Sequence, residues 1–182
     1  MNKVLVLLAD GFEECEALLV VDILRRAKME VETVSISDSL TVTSSHKVSV
    51  QADTTIDKAD FDGAEMMVLP GGMPGTNNLA ANPVVVEQCR RFAAGKRLAA
   101  VCAAPSVLGG LGLLEGKKAI VYPGFEDKLI GAKISRKNVV TDGNITTGQA
   151  LGASIPFALE IVRVLEGEEA SRNVAKQICY KQ

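Results

Sequence analysis

Residues 4–27 read VLVLLADGFEECEALLVVDILRRA, and the fold class follows from this stretch. Val4–Leu8 is an unbroken apolar run, as in a strand buried on both faces of a sheet. Ala9-Asp10-Gly11 ends it. From Glu14 to Ala27 the pattern changes to helical spacing, through Ala17, Leu18, Val21, Leu24 and Arg25, before a polar stop.

The same alternation continues along the chain. Val31–Ile36 reads as a second strand. Leu40–Ala52 alternates with Val42, Val48 and Val50 on one parity about a turn at Ser44-Ser45, which predicts an antiparallel hairpin. Met66–Leu69 is a short buried strand cut off by Pro70-Gly71-Gly72. Pro83–Ala94 reads as a helix capped by Asn82, with Pro83 in its first turn. Leu98–Val101 is a strand that runs straight into Cys102, and Ala103–Leu111 a helix of small residues. Ala119–Tyr122, Val139–Thr141 and Asn144–Thr147 read as further strands. Ser154–Leu165 is an amphipathic helix, and Glu168–Ile178 a last one. Strands alternating with helices predict an α/β, flavodoxin-like three-layer sandwich: a mostly parallel sheet, helices on both faces and one small antiparallel hairpin.

The 182 residues fit one domain, residues 1–182, without repeat, low-complexity segment or linker. Hydrophobic residues make up 47% and aromatic ones 4%, with no Trp, so the core is aliphatic. The net charge is −2, and Lys and Arg are scattered along the chain. No basic run supplies a nucleic-acid footprint, so no nucleic-acid partner is expected. No apolar run reaches the roughly 20 residues that span a bilayer, so no membrane partner is expected. The short apolar N-terminal run is followed at once by acids and reads as a strand, not a signal peptide, which makes the expected location cytoplasmic. Cys15, Cys89, Cys102 and Cys179 form no CxxC pair, so no metal site is expected, and a reducing compartment would leave them as thiols.

In sheets of this class ligands bind beyond the carboxyl ends of the strands. Three such ends carry unusual chemistry: ADGFEECE with Glu13, Glu14 and Glu16, LPGGMPGT with Gly71 and Gly72, and AAVCAAPS with Cys102. The small neighbours Ala99, Ala100, Ala103 and Ala104 suit a tight strand-to-helix turn. A thiol at a helix N-terminus would be acidified by the helix dipole. Equally, Cys102 reads as a buried filler among alanines, and on the residues alone both readings stand. Gly71-Gly72 could expose amides to an oxyanion or form a plain turn, and its spacing fits no nucleotide loop. Of the acids, Glu13 and Glu14 suit the first turn of a helix, whereas Glu16 in a partly dry cleft beside Cys102 would hold its proton and could shuttle it. His46, the only histidine, lies in the polar hairpin and reads as exposed. With no His after Cys102, a papain-like Cys–His pair is not expected.

The blocks GFEECE (11–16), VLPGGMPG (68–75), AAVCAAPSVLG (99–109) and PGFEDKL (123–129), in this order, resemble the DJ-1/PfpI superfamily, also called ThiJ. The resemblance covers nearly the whole chain. It implies a flavodoxin-like sandwich forming a homodimer, with Cys102 as nucleophile and Glu16 as its protonated acid partner. It also implies oxyanion amides at Gly72 and Ala103, Gly71 shaping the turn, and Glu13 and Arg26 near the pocket and the dimer contact. Two departures stand out. Several members carry His where this chain has Tyr122, a poor base near neutral pH, so proton transfer falls to Glu16. His46 stands where close relatives carry Arg, which would alter how an anionic group is held.

The function the resemblance implies is a glyoxalase or deglycase without added cofactor. Its substrate would be a small dicarbonyl such as methylglyoxal or glyoxal, or an early glycated adduct. The alternative is a redox-sensing stress protein or chaperone that uses oxidation of Cys102. A peptidase ranks last, because the distant members with that activity use a His absent here.

Overall fold

The structure, a computed structural model, describes residues 2–181. The run Val4–Leu8 forms strand β1 (Lys3–Leu8), and the helical spacing after it forms α1 (Glu14–Arg26). The chain then builds β2 (Glu30–Ser35), β3 (Thr41–Thr43), β4 (Ser49–Gln51), β5 (Thr54–Thr55) and β6 (Met66–Leu69). Next come α2 (Gly75–Ala81), α3 (Pro83–Gly95), β7 (Arg97–Val101), α4 (Pro105–Gly110), β8 (Lys118–Ala119) and β9 (Lys133–Ile134). Last come β10 (Val139–Asp142), β11 (Ile145–Gly148), α5 (Ser154–Glu166) and α6 (Glu168–Gln177).

Seven strands form the central sheet in the order β10-β11-β7-β6-β1-β2-β5. All neighbours run parallel except the β10–β11 pair. The alternation of side chains along β1 builds a three-layer sandwich. Val4, Val6 and Leu8 point into one core with Val20 and Leu24 of α1 and Ile161 of α5. Leu5 and Leu7 point into the other with Leu79 of α2, Phe92 of α3 and Leu108 of α4. Both layers cover the sheet, which is why its strands read as continuous apolar runs. Among the described residues no helix is long and apolar enough to cross a membrane.

The expected antiparallel hairpin is present as β3–β4, a small sheet apart from the main one. The helix at Pro83 is capped as its sequence predicts, with Asn82 accepting from the amides of Val84 and Val85. Three local readings differ. The segment expected as a strand over 119–122 pairs only at Lys118–Ala119, with β9 and outside the main sheet. The helix expected from Ala103 starts at Pro105, because residues 102–104 turn the chain first. Helix α2 was not foreseen: Gly75, Asn77 and Asn78 are turn-forming types, and packing of Leu79 holds them helical.

Asn144, in the β10–β11 turn, fastens α3 to the sheet. Its Nδ2 donates to the carbonyls of Phe92, Ala93 and Lys96 at 3.3, 2.9 and 2.6 Å; Phe92 O also accepts from Lys96 N, while those of Ala93 and Lys96 lie where the helix end leaves acceptors open. Asn144→Ala strands the carbonyls of Ala93 and Lys96 and should destabilise the protein by about 1–3 kcal/mol, read by urea unfolding. An unchanged midpoint would show that water replaces the amide at no cost.

Candidate active site

The strand order changes direction between β1 and β6: β1 leads by way of α1 to β2 on one side, while β6 leads to β7 on the other. Crevices at such switch points are where parallel sheets bind ligands. The carboxyl ends of β1, β6 and β7 meet there, and they bring Glu16, Gly71 and Cys102 together.

Cys102 follows β7 directly and adopts φ 62, the left-handed region that costs a residue with a Cβ roughly 1–2 kcal/mol. Two backbone bonds hold it there. Its amide donates to Gly148 O at 3.0 Å, and its carbonyl accepts from Tyr122 N at 2.8 Å. The turn thus juts the thiol out from the strand end, as a nucleophile elbow does. The thiol is half-buried and faces the amides of Gly72 and Ala103.

Glu16 lies in the first turn of α1 and is only 1% exposed. Its Oε2 accepts from Gly71 N at 3.0 Å, and its Oε1 is buried without an oxygen or nitrogen partner. Gly71 packs against both Cys102 and the Glu16 carboxyl, and no larger residue fits without displacing one of them. A Cβ there would lie 2.6 Å from both Cys102 Cβ and Glu16 Oε2. Gly72 has φ +90, and a Cβ on it would run into Glu13 N. The two glycines therefore let the β6 loop lie flat between the other two strand ends. Glu13 N donates to Gly71 O at 2.9 Å and locks the approach.

The electrostatics are set by this proximity. Burial raises the Glu16 carboxyl to about 7, helped by the charge of Glu13 and opposed by hydrogen bonds from Cys102 and Gly71. The Cys102 thiol is pushed up to about 12, by burial first, then by the charge of Glu16 and its hydrogen bond. The amides of Ala103 and Gly72 pull the other way. This corrects the expectation of a thiol acidified by a helix dipole. The helix begins three residues later, and the carboxylate beside the sulfur outweighs it. Two of the three upward influences act only while Glu16 is charged. A protonated Glu16 instead donates to the sulfur, and the thiolate then has that proton and two amides to stabilise it. Above about 7 the pair holds one proton between them, and the two residues titrate as a unit.

The remaining candidate residues are placed differently. Glu13 caps α1, its Oε2 accepting from Glu16 N at 2.6 Å. His46 is exposed, and its Nδ1 lies 3.1 Å from Glu14 Oε1 and 4.0 Å from Glu13 Oε1. Burial works against the charge on Glu14, but its own amide, His46 and Ser44 hold the carboxyl below its ordinary range. Among the described residues Glu13, Glu14 and His46 have the donor types and spacing to hold a metal ion, with ligand atoms within 4.8 Å of one another. Tyr122 serves Cys102 through its backbone amide. Its side chain is exposed and packs edge-on against Phe125. Arg26 stands in the last turn of α1, paired with Asp22 at 2.6 Å, about 15 Å along the helix from Glu16, so it does not join the pocket. Gly148 escaped notice in the sequence. Its signal was a glycine ending a strand that neighbours β7.

The family model described as the DJ-1/PfpI family matches residues 2–164. An Arabidopsis thaliana protein named DJ-1 homolog B is 37% identical over 176 residues, and the match covers 96% of this chain but 40% of that protein. A Pyrococcus horikoshii protein named deglycase is 32% identical over 167 residues, covering 90% of this chain and 99% of that one. The solved structure of oxidized Toxoplasma gondii DJ-1 superposes with a TM-score of 0.96 at 35% identity, covering 100% of both chains.

Gly71→Ala would drive a methyl between Cys102 and Glu16. The protein should remain folded, and its reaction with a thiol-directed reagent should depart from the wild-type pH profile as the shared proton is lost. A profile superimposable on the wild type would show that the close approach does not matter.

Proposed function

This chain belongs to the DJ-1/PfpI family, and we propose that it converts small dicarbonyls, or their early adducts on thiols and amines, by a glyoxalase- or deglycase-type reaction at Cys102. The single observation that supports this reading is the buried Glu16 carboxyl packed with Cys102 around Gly71. The deglycase name of the Pyrococcus relative points the same way.

The chemistry needs no added oxidant. The Cys102 thiolate attacks the aldehyde carbon of methylglyoxal, and the resulting oxyanion lies toward the Gly72 and Ala103 amides. Glu16 supplies the proton that completes the hemithioacetal and is left as a carboxylate. It then takes the hydrogen from the former aldehyde carbon, giving an enediolate. Returning that proton to the neighbouring carbon, while the hydroxyl proton passes from one oxygen to the other, yields a lactoyl thioester. Water cleaves the thioester, releasing lactate and the thiol. Glu16 acts as acid, base and acid again, a role suited to a carboxyl that titrates near 7.

The sign of the pH dependence follows. Below about 7 the pair holds two protons and no thiolate forms. Above it the pair holds one, on the sulfur, and passing it to the Glu16 carboxylate frees the attacking thiolate. The kcat/KM for lactate formation should therefore rise with pH through about 7 and then level. Cys102→Ala should abolish lactate, and Glu16→Gln should lower kcat by about 10²–10⁴-fold and remove that limb. Equal lactate production by wild type and Cys102→Ala would falsify the proposal.

A second reading, a redox sensor, is favoured by the Glu16 carboxyl, which lies next to the Cys102 thiol and has one oxygen, Oε1, buried without a hydrogen bond, and the Toxoplasma relative was solved oxidized. Peroxide would convert the thiolate to sulfenate and a second equivalent to sulfinate, releasing one water each time. A protonated Glu16 would hydrogen-bond the new oxygen. Mass spectrometry after mild peroxide should find Cys102 oxidised ahead of exposed Cys15 and Cys179. The reverse order would rule this role out.

A further inference from the structure

Lysines and arginines scattered along the sequence become neighbours at the β10 edge of the sheet. A groove of about 880 Å³ is lined there by Lys118 of β8, Lys133 of β9, Arg136 and Lys137 of the β9–β10 connection, and Arg163 of α5. One carboxylate, Glu160, shares the lining, and it is committed. Its two oxygens take Arg163 Nε and Nη2, each at 2.7 Å, and one of them also accepts from Thr141 Oγ1 at 2.6 Å. Nearby Asp142 is occupied by the amide of Lys118 at 2.8 Å. Among the described residues Lys118, Lys133, Arg136 and Lys137 form no ion pair with any acid within 4.0 Å. Four uncompensated cations thus face one concavity in a chain whose net charge is −2.

We propose that this groove binds a small organic molecule carrying two phosphoryl groups. Its volume lies in the range of small-ligand sites. Two phosphoryl groups carry about −3 to −4 near neutral pH, which matches the four free cations. Arg136 adds a planar fork suited to phosphate, and the lysines add point charges. Ile134 and Pro156 supply an apolar wall for the body of the ligand. No lining residue is aromatic, so bases of a single strand would have nothing to stack on, and a nucleic acid fits poorly. The groove lies outside the Cys102 crevice and shares no residue with it, so the assignment is independent of the reaction proposed there.

Inorganic pyrophosphate is the probe, titrated calorimetrically into the intact protein without metal. Saturable one-site binding is expected. The exposed pair Lys133→Glu with Lys137→Glu should weaken it by at least about tenfold, the loss of two charge-assisted contacts. Lys28→Glu with Lys58→Glu changes the net charge equally at distant exposed positions and should leave the affinity within about twofold, since solvent and salt screen distant charges. Circular dichroism keeps a misfolded variant from being mistaken for a loss of binding. Absence of saturable binding overturns the proposal, as does equal weakening in both pairs. Tighter binding of citrate would reassign the groove to carboxylates, and tighter binding of a single-stranded oligonucleotide would reassign it to a polymer.

Discussion

A residue with no side chain lets a buried carboxyl and a thiol meet, and the rest of this site is arranged to keep them that close. Gly71 has two neighbours at distances no Cβ tolerates, Cys102 on one side and Glu16 on the other. Each lies at the end of a different strand or the start of a different helix. The contact therefore exists only because the parallel sheet places the ends of β1, β6 and β7 at one edge. The fold supplies proximity, and proximity sets the proton affinities.

Holding this geometry costs stability in two places. Cys102 sits in the left-handed region and is kept there by Gly148 and Tyr122 through the backbone alone. Glu16 is buried, and its carboxyl keeps its proton up to about 7 instead of 4.5. Between those values the folded chain binds more protons than the unfolded one, so stability falls as pH rises across that window. Above about 7 the cost of the buried charge is on the order of 3 kcal/mol, a large share of the stability of a domain this size. A carboxyl kept there at such cost fits a functional role better than a structural one.

Much of this could be read from the sequence, and the limits of that reading have physical causes. The unbroken run Val4–Leu8 announces a strand covered on both faces, and the Asn82-Pro83 pair announces a helix start, because both signals are local. The alanines around Cys102 announce a tight turn for the same reason. What was not legible depends on distance through space. The dipole argument for an acidic thiol looks only at residues next to Cys102 in sequence, while the charge that decides its proton affinity belongs to Glu16. Arg26 and Glu16 share a helix, but ten residues of rise separate them, and spacing along the sequence does not show which end of the helix meets the pocket. The small residues of α2 resemble a turn until Leu79 is buried against the sheet.

The two ends of the sheet illustrate one rule about charge. At the carboxyl edge near β1, acids crowd together, and their repulsion is relieved by protonating Glu16 and by the Glu16 amide donating to the Glu13 carboxylate. At the β10 edge, cations crowd together, and most of them have no such relief. Lysine and arginine cannot shed a proton cheaply at neutral pH as a carboxyl pushed up to about 7 can take one. Self-repulsion among Lys118, Lys133, Arg136 and Lys137 is therefore tolerated as exposure to water, or cancelled by an anion. Solvent screening makes the first affordable for isolated side chains. A concave wall lined by several of them weakens that screening, because less water reaches the space between the charges. The same physics that keeps a proton on Glu16 thus favours an anion in the groove.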